Sequence, residues 1–483
     1  MLLSQKHVSE RLILNSRRAS INAGEAAENE ERSQFETDGG FKLPQGPAAP
    51  LNEPGTHPLR KVGLGVSDPP PPAPLDVIEI AWTPITKDVV GTIVQVLVDD
   101  DDGKPPIRVV DLVDNRLGPK LTETICAAIE GSQVEEILIR YNDIGRLGCE
   151  AVASVVNVST RLRFVDLRGN KLVPMDCRKF FRSLAVSQSV QRLGLSNNNL
   201  GPEGAILLAT ALEKNSFITQ LDVSMNNIGV DGVTSLASLL KLPAHPLRNL
   251  NIWGNRLGAQ GMDVLFDAVA ANRSLTVLSA GNNNAGAGIG PAIARMLGAN
   301  STLTSLELRS NSMTAETLLK LSDGLAQNET VATLQLGGNP LSSGPTSSQI
   351  SAGLDAFVKR LVKNETMTSL DLASCELGTG GVIRVAGLVG ASTSLKELNL
   401  SGNDAEDEAA AAIAKALLPS KSLTSLDLST NRLTMDGVSD LLDAVQANTK
   451  ILHLALQGNA EEVGRVVQEK VDAMLADRRR KHK

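Results

Sequence analysis

The sequence predicts an α/β repeat solenoid in which short parallel strands alternate with helices, and three observations carry that expectation. The pattern LxxLxLxxNxL recurs at Val190 to Leu200, Ile218 to Ile228, Leu247 to Leu257, Leu303 to Met313 and Leu423 to Leu433. Anchored on its asparagine, the series runs Asn115, Asn142, Asn170, Asn198, Asn226, Asn255, Asn283, Asn311, Asn339, Cys375, Asn403, Asn431 and Asn459, at intervals of 27 to 29 residues with one of 36. Aromatic residues are only 2% of the 483, so the core has to be aliphatic, which suits small identical units that each pack against their neighbours.

A degenerate unit precedes the thirteen regular ones. Leu75, Ile78, Ile80 and Ile85 fill its apolar positions, with Thr83 where asparagine belongs, as expected of a leading cap. In each unit the LxL segment is a short strand with its two apolar residues facing the core. The asparagine follows where the chain turns, and its amide can satisfy backbone groups that no ladder reaches. Cys375 stands in for it once and is read as structural. A helix comes next. In the unit of Asn198, Gly204, Ala205, Leu208 and Leu212 share one face, with Glu203 and Lys214 outside it. Gly204 recurs as Gly148, Gly232, Gly261, Gly381 and Gly437, which suggests close approach of helix and strand.

The period of about 28 residues and the LxxLxLxxNxL…G…L…L pattern resemble the ribonuclease-inhibitor type of leucine-rich repeat, as in ribonuclease inhibitor itself, NOD-like receptor arrays and Ran GTPase-activating proteins. The resemblance covers residues 75 to 460. It implies a right-handed horseshoe with parallel strands on the concave face and helices on the convex face.

The ends lie outside this array. Residues 1–74 are expected to form a disordered tail ending in the proline-rich run Pro69 to Pro74, a semi-rigid spacer. Within the tail, Arg17-Arg18-Ala19-Ser20-Ile21 fits a basophilic kinase, which makes Ser20 the candidate phosphorylation site. Asp99 to Asp102 lack the alternating ligands of a calcium loop and read as a solvated loop. Extra residues around Ser342 to Ala352 account for the 36-residue interval and read as a loop insertion. Residues 461–483 are expected to form an amphipathic capping helix, striped by Val463, Val467, Val471 and Leu475, and then a basic tail, Arg478 to Lys483.

The template also predicts what the concave face displays. Its middle outward position carries an intermittent acidic spine that includes Asp111, Asp166, Asp222, Glu307, Asp371 and Asp427. Trp82, Tyr141 and Trp253 fall at strand exits, and Phe164 and Met225 also point outward. Arg108, Arg140, Arg163, Arg168, Arg192 and Arg248 accompany them, whereas later units show Thr304, Thr368 and Thr424. Trp, Tyr and Arg dominate interface hot spots. The candidate partner-binding set is therefore Trp82, Arg108, Arg140, Tyr141, Phe164, Arg168, Arg192, Met225, Arg248 and Trp253, in the N-terminal half of the face.

No catalytic residue, cofactor or metal is expected. The five histidines are scattered and the four cysteines form no CxxC pair. HExxH, GxSxG and phosphate-binding glycine loops do not occur. A net charge of −7 gives no reason to expect nucleic acid, and no apolar run approaches the ~20 residues of a membrane span. The expected function is non-enzymatic: a scaffold that binds a protein partner, takes no small-molecule substrate, and belongs in the cytoplasm, in a cytoskeletal or ciliary assembly. Two alternatives stand beside it. A Ran-type GTPase-activating protein would use Arg116, although the surrounding loop and the basic C-terminus depart from that family. A sensor-type repeat protein would act with a separate effector. The basic start of the tail (Lys6, Arg11, Arg17, Arg18) leaves a mitochondrial location as a minor alternative.

Overall fold

The computed structural model describes residues 77–98, 106–243, 245–344, 346–460, 463 and 465–481. The N-terminal tail with Ser20 and the run Asp99 to Asp102 lie outside the described residues. The chain divides into two compact units, one ending at Asn198 and the other starting at Asn199.

The first unit holds strands β1 (Val77–Glu79), β2 (Val109–Asp111), β3 (Glu136–Leu138), β4 (Phe164–Asp166) and β5 (Arg192–Gly194). Helices α1 (Lys87–Val98), α2 (Gly118–Ile129), α3 (Gly145–Val158) and α4 (Pro174–Val186) alternate with them. All pairings are parallel and in chain order, with equivalent repeat positions in register, as in Ile137 opposite Val165. The second unit continues the same grammar, starting with α5 (Gly201–Leu212), β6 (Gln220–Asp222), α6 (Gly229–Leu240), β7 (Asn249–Asn251) and α7 (Gly258–Ala271). After these come β8 (Val277–Ser279), α8 (Gly290–Ala299), β9 (Ser305–Glu307), α9 (Ala315–Leu325), β10 (Thr333–Gln335) and α10 (Ser347–Val362). The unit closes with β11 (Ser369–Asp371), α11 (Gly378–Ala391), β12 (Glu397–Asn399), α12 (Asp407–Leu417), β13 (Ser425–Asp427), α13 (Met435–Ala447), β14 (His453–Ala455) and α14 (Arg465–Lys481). The insertion at Ser342 to Ala352 is only partly a loop: Thr346 caps α10, which at 16 residues is longer than the other interior helices.

In each unit a ladder of asparagines closes the turns. The Asn283 Oδ1 accepts from the Asn255 N–H at 2.8 Å. Its Nδ2 donates to the carbonyls of Ile252, Ala280 and Gly281 at 3.0–3.1 Å. Asn142 and Asn170 do the same in the first unit, and all of these asparagines are buried. Cys375 breaks the ladder once. Its Sγ donates weakly to the carbonyls of Leu336 and Ala373 at 3.4 and 3.5 Å, and burial pushes the thiol up to about 12.

The recurrent helix glycine has a different reason from the one expected. A Cβ on Gly204 would stand 2.8 Å from the Leu200 Cβ, and one on Gly261 3.0 Å from Leu257 and 3.2 Å from Val233. What comes close is the apolar residue of the unit's own turn and the neighbouring helix, not a strand.

The C-terminal end corrects the expectation of a basic tail. The Gln468 Oε1 accepts from the Leu456 N–H at 2.8 Å and its Nε2 donates to the Leu454 carbonyl at 2.9 Å, so one side chain stands in for the next strand. Arg478 donates to the carbonyls of Val445 and Asn448, and Arg479 to that of Leu452. Both arginines are structural caps for carbonyls that the end of the array would otherwise leave unpaired.

Asn283→Ala removes one acceptor and two donors from a buried turn and is expected to cost about 2–4 kcal/mol in urea unfolding. Cys375→Asn is expected to raise stability by about 1 kcal/mol, because it restores the amide rung. A loss on Cys375→Asn in the same measurement would contradict the ladder's role.

Candidate functional site

The strand face of each unit is set by the side chains that leave β1–β5 or β6–β14 away from the core. In the first unit it is a lattice of ion pairs. Arg168 clasps Asp166 within the same turn, with contacts of 2.8–3.0 Å. Arg140 reaches back to Asp111 at 3.3 Å and lies 3.7 Å from Asp166. Arg192 pairs with Glu136 at 2.5 Å and lies over the Phe164 ring, 4.4 Å from its centroid. Arg108 faces Glu135 at 3.5 Å, and Arg163 donates to the Ser189 carbonyl at 3.1 Å. The expected arginine arms are thus already engaged within the chain. Burial raises the Asp111 carboxyl to about 6 in spite of the Arg140 guanidinium beside it.

The acidic spine also proves to be mainly structural. Asp166 Oδ1 accepts from the N–H of Arg168, Asp371 from that of Ala373 at 3.0 Å, and Asp427 from that of Ser429 at 2.8 Å. Asp222 does the same with Ser224, as do the neutral Asn251 and Asn399 with Trp253 and Ser401. The position selects a short side-chain acceptor that caps the strand exit two residues on. Glu307 serves the same purpose from a longer stem, accepting from Ser279 and from the N–H groups of Arg309 and Gly281, and burial raises its carboxyl above the ordinary range.

The aromatic positions sort into two kinds. The residue immediately before the asparagine position has positive φ in all fourteen strand exits, among them Trp82 (φ 59°), Tyr141 (55°) and Met225 (54°). Five of the fourteen are glycines and six are Asn, Asp, Ser or Thr, which leaves these three as the bulky exceptions. Left-handed backbone disfavours a large side chain. All three are exposed, at 44%, 45% and 46%. Trp253 does not belong with them: it lies one residue earlier and is half-buried, with its ring against Gly281. The Tyr141 ring lies over Gly169, in the space a Cβ would occupy, and the Met225 Sδ lies over Gly254. In the second unit Arg248 is exposed.

Six stretches match the leucine-rich-repeat family model: residues 186–209, 214–237, 299–322, 363–386, 391–414 and 420–442. In these six stretches the chain is similar to leucine-rich repeats. No curated protein matches it. Among solved structures it is similar to the leucine-rich-repeat-containing protein LegL7 from Legionella pneumophila, at 21% identity over 62% of this chain and 94% of that one, with a TM-score of 0.43. It is similar to an internalin, InlF from Listeria monocytogenes, at 17% identity over 79% of this chain and 87% of that one, with a TM-score of 0.42. The TLR13 chain of a TLR13–ssRNA13 complex aligns at 15% identity over 79% of this chain and 52% of that one, with a TM-score of 0.44.

The repeats also contain a second polar ladder, at the helix C-termini, which the sequence pattern alone did not predict. Asn300 donates to the carbonyls of Val269 and Asn272 and accepts from the N–H groups of Thr302 and Leu303. Asn328 and Asn448 repeat this arrangement with their own neighbours. Its signal was the recurrent Asn-x-Ser/Thr or Ser-x-Ser just before a unit's first apolar position, as at Asn272-Arg-Ser274, Asn328-Glu-Thr330 and Ser392-Thr-Ser394. His245 holds the place once. Its Nδ1 accepts from the Leu247 N–H at 3.3 Å, and its Nε2 lies 3.3 Å from the Leu212 carbonyl. Among the described residues no group of acidic, histidine and cysteine side chains could hold a metal, and no helix is long and apolar enough to cross a membrane.

Burial lowers the His245 pKa below its ordinary 6.5, so the native state favours the neutral ring. Its contribution to stability is fully present above 6.5 and is lost as pH falls through the folded value. His245→Asn, the residue other units use here, is expected to flatten this part of the pH dependence in urea midpoints. Unchanged pH dependence would refute the assignment. Gly169→Ala puts a methyl into left-handed backbone under the Tyr141 ring and is expected to cost about 1–3 kcal/mol by thermal unfolding.

Proposed function

We propose that this chain is a non-enzymatic scaffold that binds a protein partner through its strand face, with the main contact in the first unit. One observation carries this reading: Trp82 and Tyr141 stand exposed at strand exits whose left-handed backbone is filled almost everywhere else by small or turn-forming residues. Strain of about 1 kcal/mol or more per site persists where the surroundings or a partner offset it. The paired arginines add preorganisation. Arg192 held on Phe164 and Arg140 held by Asp111 present guanidinium planes in fixed positions, so little side-chain freedom is lost on docking. Such a surface favours a partner that brings its own hydrogen-bond acceptors and an apolar patch for the two rings over one chosen by net charge. Met225, Arg248 and Trp253 belong to the second unit, where they offer a smaller contact of the same kind. A cytoplasmic scaffold within a large cytoskeletal or ciliary assembly is the setting we propose.

Affinity capture tests this with the full chain and the double variant Trp82→Ala/Tyr141→Ala. The variant is expected to keep its fold and to lose partners that the wild type retains, by about tenfold or more, as for removal of a hot-spot pair. Identical partner lists would end the assignment to the first unit. Equal loss from Thr304→Ala/Thr368→Ala/Thr424→Ala would show that the strand face of the second unit is used as much as that of the first and would end the assignment of the main contact to the first.

A further inference from the structure

The row of left-handed residues at the strand exits begins in the first unit with Trp82, Asp114 and Tyr141, at φ 59°, 51° and 55°. Each lies five residues beyond a member of the register row Val77, Val109 and Glu136. Each donates its own N–H to the following strand exit: Trp82 to the Val113 carbonyl at 3.0 Å, Asp114 to that of Arg140 and Tyr141 to that of Arg168, both at 2.9 Å. The three therefore stand on successive rungs of one parallel ladder. Asp114 is the only acid among the fourteen members of the row, and the only two aromatic members flank it.

The spacing leaves a slot. Neighbouring strands lie about 4.8 Å apart, so the Trp82 and Tyr141 backbones are about 10 Å apart with that of Asp114 midway. Side chains in this row lean over the following unit, as Tyr141 does over Gly169, Met225 over Gly254 and Ser374 over Gly402. A shared lean keeps the two rings apart by the same two rungs and sends the Asp114 carboxylate between them. Both rings are exposed and Asp114 is half-buried. Among the described residues no cation pairs with Asp114, whereas Asp143 and Asp404, in the row just after the asparagines, hold Lys171 at 2.9 Å and Arg432 at 2.8 Å. The arginine beside Tyr141 is already committed: Arg140 pairs with Asp111 at 3.3 Å and lies 3.7 Å from Asp166. Earlier in the same strand the Asp111 Oδ1 is buried without a hydrogen-bond donor, and the exposed Glu79 stands in register beside it.

We propose that Trp82, Asp114 and Tyr141 form a cage for one cationic side chain, arginine or lysine, of the protein partner. The cage rests on the scaffold reading above and names the chemistry of its main contact. A cation midway between the rings lies about 5 Å from each, within the ~6 Å over which a ring face attracts it. The Asp114 carboxylate supplies the counter-charge from the floor of the slot. The aliphatic stem of the arginine or lysine gives the rings their apolar contact, so the cage selects a local cation and not the net charge of the partner.

Indole N–H resonances of the full chain test this, because it has only two tryptophans, Trp82 and Trp253. The probes are blocked tripeptides centred on arginine or lysine, with neutral counterparts centred on citrulline or acetyl-lysine. The cationic peptides are expected to shift the Trp82 signal saturably and to leave that of Trp253 in place, and the neutral ones to shift neither. Asp114→Asn keeps both rings and a residue type that tolerates left-handed backbone, and is expected to weaken the response by about fivefold or more. No saturable shift with either cationic peptide overturns the cage, as does an equal response to the neutral peptides or one that Asp114→Asn leaves unchanged. Affinity capture separates this from the scaffold reading. Partners lost from Trp82→Ala/Tyr141→Ala while the cationic peptides fail to bind would leave the first unit as the docking face and remove only the cage. Partners retained by that double variant would remove the docking face itself.

Discussion

A repeat that turns out of a short strand leaves backbone N–H and C=O groups buried where neither strand nor helix can pair them, and the rest of this structure depends on how those groups are satisfied. The asparagine amide does it with one acceptor and two donors, reaching its own turn and that of the neighbouring unit. A second row of asparagines, serines and one histidine does the same below the helices. A third, shorter device sits at the strand exits, where Asp or Asn accepts from the N–H two residues on. Three polar columns thus frame the aliphatic core, and each is useful only because the unit beside it repeats the same offset.

This frame explains why the strand face differs from a display of free charges. An acid whose oxygen is already committed to a backbone N–H is held rigidly at the exit, where it becomes the anchor for an arginine from the same or an adjacent strand. Asp166 does both, serving the Arg168 N–H and its guanidinium. The charges on the face of the first unit are therefore largely paired and held in place, and the two rings exposed on it are Trp82 and Tyr141. The glycine beneath Tyr141 shows that the ring is positioned by its neighbour as well as by its own backbone.

The C-terminal finish makes a related point about side-chain chemistry. Gln468 carries an acceptor and a donor on one planar amide, the pair that an approaching strand would bring. Arg478 reaches the carbonyls of Val445 and Asn448, the counterparts of those at Leu417 and Ser420 that Asn448 serves one unit earlier. A basic run at a chain end reads as solvated when only its charge is considered. The geometry of donors around it decides otherwise.

The sequence by itself determined the period, the order of strand and helix, the buried asparagine column and the structural place of Cys375, because all of these follow from apolar and amide residues at fixed short offsets. It also marked Trp82, Tyr141 and Trp253 as unusual, since aromatics are only 2% of the chain and these three fall together at strand exits. Only the tertiary structure decided what the arginines do. Arg168 finds Asp166 two residues away, but the partners of Arg140 and Arg192 lie 29 and 56 residues along the chain, at Asp111 and Glu136, and depend on lateral register between strands rather than on local pattern. It likewise separated Trp253 from the other two aromatics, because a shift of one residue at a strand exit changes backbone handedness and with it where the ring lies. Where contact is set by neighbours in sequence the residues were legible. Where it is set by stacking of one unit on another, only the fold could supply it.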